Sequence, residues 1–363
     1  TWLVDPQDFT IASSGGDIDG VTLSTQLDTT NVTLQSSSGA TAGSGDLNVN
    51  DAVGWSANNT LTLTASNNVN INASITATGD TAGLALNPNT ANGADAASGT
   101  GVYKLNNGAQ ITLSGATPSL NIAGTTYTVI NDVNALQAMK SNLAGKYALG
   151  SNIDASATST WNSGAGFVPI GNRTTIFSGE LDGFNHTITG LSINRPTTDY
   201  VGLIGYIYRG TVKNVGLLGG SVTGKGSVGG LAGYSDLGSI SNSYATGAVS
   251  GYYTVVGGLV GSNGNASISN SYATGAVSGN NSVGGLVGNN RYYATISNSY
   301  ATGAVSGNNY VGGLVGDNYA SISNSYATGE VSGSSNYVGG LVGDNHASIS
   351  NSYATGEVSG SSN

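Results

Sequence analysis

Val256-Gly257-Gly258-Leu259-Val260-Gly261, followed by Ile268-Ser269-Asn270-Ser271-Tyr272-Ala273-Thr274-Gly275, decides the fold, because both phrases recur at nearly constant spacing. Val-Gly-Gly-Leu begins at Val228, Val256, Val283, Val311 and Val338, and the degenerate Val-Gly-Leu-Ile begins at Val201; successive spacings are 27, 28, 27, 28 and 27. The second phrase sets tyrosines at Tyr244, Tyr272, Tyr300, Tyr326 and Tyr353. From each Val to the next Tyr the distance varies between 15 and 17 residues, so length changes fall between the markers. Polar stretches such as 288–293 and 316–319, or 306–309 and 332–336, absorb them. Insertions are tolerated in surface turns and not within a hydrogen-bonded ladder, so these stretches read as turns.

A unit of about 27 residues with Gly/Asn/Ser punctuation reads as three short strands, here Val256–Gly261, Ser267–Thr274 and Ala276–Ser278. Such strands cannot bury a face alone. Closing one turn of a solenoid solves this, since every strand then pairs in parallel with its copy about 4.8 Å away. The expected fold is an all-β, right-handed parallel β-helix (β-solenoid) with a short helical insertion. Val256, Leu259, Ile268 and Val277 would line one coil, and Val311, Leu314, Ile322 and Val331 another. The glycine pairs would serve tight bends or close backbone approach. Helical repeats are excluded, because Gly-Gly pairs and Ser/Thr/Asn runs cost about 0.5–1 kcal/mol per residue against Ala in a helix. Calcium-binding nonapeptide rolls are excluded too, since only Asp317 and Asp344 are acidic at comparable places.

Composition agrees. Of 363 residues 58 are Gly, 8% are charged and 38% are hydrophobic, with only 5 Pro, which suits an ordered repeat and not a disordered chain. Net charge is −10 with 9 Lys plus Arg, leaving no basic stripe for nucleic acid. The absence of cysteine is compatible with export. No apolar run approaches the length of a membrane-spanning helix and no signal peptide is evident, so the chain reads as an internal piece of something longer and not membrane-spanning.

Three regions follow. Residues 1–125 read as irregular coils of the same helix, with strands at Val21-Thr22-Leu23, Val32-Thr33-Leu34, Leu61–Thr64 and Val69–Asn72. Residues 126–200 read as transitional coils with a short helix near 132–143, capped by Asn131, and strands resuming at 147–149, 177–181 and 187–193. Residues 201–363 are the regular repeat.

The opening Thr1-Trp2-Leu3-Val4-Asp5-Pro6-Gln7-Asp8-Phe9-Thr10-Ile11, with Leu61-Thr62-Leu63-Thr64-Ala65, resembles the region after the secretion domain of filamentous haemagglutinin-like exoproteins of two-partner secretion systems. The Val-Gly-Gly-Leu-Val-Gly…Ile-Ser-Asn-Ser-Tyr-Ala-Thr-Gly units look like GLUG repeats of such adhesins and of some IgA-peptidase-like surface proteins. The resemblance implies a secreted adhesin of the bacterial cell surface, exported through an outer-membrane secretion partner. It would serve attachment or biofilm contact with a host or bacterial surface glycan or protein. No peptidase motif is present.

Asn242, Asn270, Asn298, Asn324 and Asn351 are expected to form an internal corner ladder of side-chain amides. The tyrosine column beside them has two readings: an exposed stripe if the corner flips inside-outside parity, core if it does not. Tyr252, Tyr253, Tyr292, Tyr293, Tyr310, Tyr319 and Tyr337, in the variable turns, are the candidate contacts. An enzyme on this fold would need converging carboxylates. Asp182-Gly183-Phe184-Asn185-His186 comes nearest and reads as a turn, and His346 replaces Tyr319 of the sister coil in a solvated loop. No catalytic residue, metal or cofactor is expected. One threonine column (Thr246, Thr274, Thr302, Thr328, Thr355) lacks the second that an ice- or mineral-binding face needs.

Overall fold

A computed structural model describes residues 7–36, 43–90 and 101–360; residues 1–6 of the opening motif lie outside them. The chain is a parallel β-solenoid with a few short helices, divided into two compact units. The first takes residues 1–131, 146–151 and 184–186, the second 132–145, 152–183 and 187–363.

Three parallel ladders build the first unit. Phe9–Ile11, Leu47–Val49, Val69–Ile71 and Tyr103–Leu105 form one; Val53–Trp55, Ile75–Ala77 and Ile111–Leu113 another; Val32–Gln35, Thr60–Thr64, Gly83–Asn87 and Ser119–Ile122 the third. Alternation in the sequence puts Leu61, Leu63, Val69 and Ile71 inside, fully out of solvent. One antiparallel hairpin interrupts the winding, joining Ser119–Ile122 to Thr125–Ile130. Its turn is Ala123-Gly124, with φ of 50° and 77°, the pair of left-handed residues that a two-residue hairpin requires.

The expected strand at Val21-Thr22-Leu23 is wrong. Gly20–Leu27 is an α-helix: the Asp19 side chain caps it through Thr22 N at 2.8 Å, and Leu23 and Leu27, one turn apart, are buried while Val21 faces solvent. In the second unit the helix near 132–143 is present as Val133–Ala138 continued by a 3₁₀ turn, Met139–Ser141. Its cap is Asp132 and not Asn131; the Asn131 amide instead donates to the carbonyl of Leu113 in the first unit's interior ladder.

The repeat coils of the second unit carry four faces, not three. In one coil these are Val260–Gly264, Ser267–Ser269, Tyr272–Ala273, and a broken strand comprising Val277–Ser278 and Asn281–Gly284. Each pairs in parallel with its copy: Ile240, Ile268, Ile296, Ile322 and Ile349 lie in one register column. The stretches 288–291 and 316–318, read as turns, belong to strands Val287–Arg291 and Val315–Asn318. Every residue expected to line the two coils is at most 1% exposed. The glycine pairs do allow close approach: a Cβ on Gly258 would stand 2.2 Å from the carbonyl oxygen of Gly285.

Left-handed residues turn the corners. Asn242, Asn270, Asn298, Asn324 and Asn351 have φ between 47° and 49°, a conformation Asn tolerates better than most residues. A second corner stacks Tyr200, Ser227, Val255, Ser282, Tyr310 and Tyr337, with φ between 49° and 63°.

This geometry corrects the internal asparagine ladder. Those five asparagines are exposed, and their amides link only at the outside, as Asn242 to Asn214 at 3.1 Å and Asn351 to Asn324 at 3.2 Å. The inward corner residue is the serine that follows. Ser271 donates to the carbonyl of Ser269 at 2.7 Å and accepts the N–H of Ser243 at 3.2 Å, and Ser299 and Ser325 repeat the pattern. An interior amide ladder does exist, on another face: Asn263 donates to Asn290, Asn290 to Asn318 and Asn318 to Asn345, at 2.9, 2.8 and 2.7 Å.

Candidate functional site

The left-handed asparagine resets side-chain parity, so Ser271 and Ala273 point inward and Tyr272 outward. The tyrosine column therefore runs along the surface, half-buried from Tyr244 to Tyr326 and exposed at Tyr353. Centroids of Tyr244, Tyr272, Tyr300, Tyr326 and Tyr353 are 4.7, 4.8, 4.9 and 5.3 Å apart, with planes within 7° of parallel. Burial pushes the phenols of Tyr244, Tyr272 and Tyr300 above their ordinary value. Rings packed face on face leave only edges and hydroxyls to the outside. Apolar faces, the part that would stack on a sugar, are consumed within the column.

The turn tyrosines differ. Tyr252, Tyr253, Tyr292, Tyr293, Tyr319 and Tyr337 are exposed, Tyr293 to 92%, and Tyr310 is half-buried. Tyr310 stacks on Tyr337 at 4.9 Å and Tyr319 on His346 at 4.5 Å, while Tyr252 and Tyr253 lie where the coil 248–257 carries an extra residue. Lys225 stands over the Tyr253 ring, 5.8 Å from its centroid, and pairs with Asp199 at 3.6 Å. Sequence reasoning did not single out Tyr200, Tyr206 and Tyr234. Tyr206 and Tyr234 stack at 4.8 Å with Tyr200 tilted against both, and burial with the nearby Asp236 pushes the Tyr234 phenol up to about 12.

Asp182, Asp317 and the two histidines each have partners. Asp182, fully buried, accepts from the Asn214 amide at 2.9 Å and lies 3.4 Å from the Lys213 ammonium, which also meets Glu180 at 2.9 Å. Phe184 and Asn185 form a turn with φ of 48° and 63°, as the sequence indicated, and His186 is buried against the Ile111 carbonyl at 2.9 Å, where desolvation lowers its pKa. His346 sits in an exposed turn, 3.0 Å from Asp344. Asp317 pairs in register with Asp344 and lies beneath the surface, its Oδ2 accepting from Asn289 at 3.3 Å and 3.7 Å from Arg291. Burial first, and then Asp344, raise its pKa against the pull of Arg291. Among the described residues no group of three or more His, Cys, Asp or Glu is placed to hold a metal, and no helix is long and apolar enough to cross a membrane.

The GLUG motif matches residues 224–250, 252–278, 279–306, 307–332 and 334–359, one match per coil. These coils are GLUG repeats. The chain is 45% identical over 104 residues (27% of the chain) to halomucin of Haloquadratum walsbyi, of which that match spans 1%. A provisionally named Gly-rich membrane protein of Evansella cellulosilytica is 42% identical over 65 residues, 18% of this chain and 8% of that one. The chain thus spans a small fraction of the curated relatives it matches. A crystal structure of a provisionally named immunoglobulin A1 protease from Bacteroides ovatus overlaps 63% of this chain and 75% of its own, at 24% identity and a TM-score of 0.49.

Proposed function

We propose that this chain is a rigid segment of a secreted cell-surface adhesin, non-enzymatic, which holds contacts out along a GLUG solenoid. One observation carries the reading: side chains within the coils are committed to one another, as core, amide ladder or ring stack, while the turn tyrosines Tyr252, Tyr253, Tyr292 and Tyr293 stand in solvent. Exposed aromatics of that kind suit contact with a surface glycan or protein. Similarity over 65 residues to a protein named as a membrane protein supports a surface location. Export through an outer-membrane secretion partner belongs to the same proposal, and a chain without cysteine suits such a route. The separate engagement of Asp182, His186 and Asp317 supports the absence of catalysis.

The test is attachment. Beads coated with the chain should adhere to bacterial or host cells, and a variant with serine at Tyr252, Tyr253, Tyr292 and Tyr293, which stack on no other ring among the described residues, should lose adhesion while unfolding at an unchanged urea concentration. Equal adhesion of coated and bare beads would sink the reading, and so would turnover of a polysaccharide by the purified chain.

A further inference from the structure

A surface groove of about 390 Å³ crosses three consecutive repeat coils. Its floor is the glycine column Gly279, Gly307 and Gly333, and its first wall the exposed hydroxyls of Ser278, Ser306 and Ser332. The groove has a cause in the core. A Cβ on Gly279 would lie 2.7 Å from a Val256 methyl, and one on Gly307 2.8 Å from a Val283 methyl. Only glycine lets the strand sink against those valines, and the sinking dents the surface. The opposite wall is an amide and hydroxyl chain in which Asn308 Nδ2 donates to Asn280 Oδ1 and Ser334 Oγ to Asn308 Oδ1.

Two exposed rings stand one coil before the groove's first residues. Ser250 pairs with Ser278, so Tyr252 and Tyr253, two and three residues on, occupy the coil preceding Asn280. They are 65% and 64% exposed. Lys225, from the coil before that, lies over one face of Tyr253, 5.8 Å from its centroid, and no ring among the described residues stacks on the other. This distinguishes the pair from the column through Tyr272, whose faces cover one another.

We propose that this groove binds a neutral glycan chain laid along the solenoid axis, with a sugar ring stacked on Tyr252 or Tyr253 at its head. The inference rests on the adhesin reading and gives it a ligand class. Hydroxyls and amides repeating once per coil, about 4.8 Å, present alternating donors and acceptors to a polymer of hydroxyl-bearing rings of similar length. No charged side chain lines the groove, and Glu330 and Glu357, two residues before Ser332 and Ser359, disfavour an anionic chain, as does the net charge of −10. A peptide strand finds no partner on this face, since the central strands are already paired on both sides.

Titration calorimetry of the whole chain with cellohexaose, maltohexaose and chitohexaose, beside an oligogalacturonate of equal length, tests the proposal. At least one neutral hexasaccharide should bind. The double variant Tyr252→Ser/Tyr253→Ser and the double variant Ser306→Glu/Ser332→Glu should each weaken it by about tenfold or more, with urea midpoints unchanged, and Ser267→Ala on another face should bind like the parent. The groove is overturned if no neutral hexasaccharide binds, if both double variants bind as the parent does, or if the oligogalacturonate binds as tightly. Bead attachment read in parallel separates the two ideas. Attachment surviving in the double variants removes the groove and leaves adhesion standing, whereas hexasaccharide binding without attachment removes adhesion and leaves the groove.

Discussion

Asn290 donates its side-chain amide to Asn318 Oδ1 at 2.8 Å inside the solenoid, and both residues are fully out of solvent. Asn290 and Asn318 each give to the coil after and accept from the coil before, so within the ladder they satisfy polar groups that would be costly alone.

Asn290→Ala strands one amide hydrogen on Asn263 and leaves Asn318 Oδ1 only the long bond from Ala320 N, and should cost about 1–3 kcal/mol. Asn270→Gly, at the outer corner where φ is 49°, should be nearly neutral. Urea unfolding of the two variants separates the inner column from the outer one; similar losses would contradict the assignment.

The sequence carried the inner ladder, though the reading of 288–293 as a turn concealed it. Asn263, Asn290, Asn318 and Asn345 each fall seven residues after the Val that begins Val-Gly-Gly-Leu, a constant offset that the exposed corner asparagines, which follow the insertions, do not keep. The apolar lining was legible because Val256, Leu259, Ile268 and Val277 repeat in kind and in place. Corner parity was not. Whether Tyr272 faces out depends on Asn270 adopting a left-handed turn, and Asn alone permits that without dictating it. The helix at Gly20–Leu27 was hidden by the apolar alternation of Val21 and Leu23, and the deciding pair, Leu23 with Leu27, is visible only at a helical spacing.

Val255 occupies the second corner with φ of 53°, where its column neighbours are Ser227 and Ser282. A β-branched side chain is strained there. Val255→Asn should raise stability by about 1 kcal/mol by relieving that conformation, read as an upward shift of the urea midpoint; a fall would show that Val255 packing outweighs its backbone cost.

Asp317 is a carboxylate below the surface whose folded pKa is raised, chiefly by burial. A raised folded value makes its contribution fully present below the unfolded 3.8 and lost as pH rises through the folded value. Asp317→Asn, which restores the residue type of Asn289 one coil before, should therefore match the parent in strong acid and exceed it toward neutrality. Urea midpoints across that range decide it, and a parent that stays ahead at neutral pH would show that the Arg291 pairing at 3.7 Å outweighs burial.

Tyr300 stacks on Tyr272 and on Tyr326, whereas Tyr293 is 92% exposed in its turn. Tyr300→Ala removes two ring contacts, each worth about 0.5–1.5 kcal/mol beyond burial, so a loss of about 2 kcal/mol is expected, against less than about 0.5 for Tyr293→Ala. The column should also fail in alkali. Folded phenol values raised above the ordinary 10.0 at Tyr244, Tyr272 and Tyr300 mean that stability present below 10.0 is lost as pH rises through them, because burial and, for Tyr272 and Tyr300, the stacked neighbouring phenols disfavour ionisation. Phenolate absorbance followed upward from pH 10.0 together with circular dichroism checks this. The late phenols should titrate with the loss of β structure in the parent, and Tyr300→Ala should move both events to lower pH.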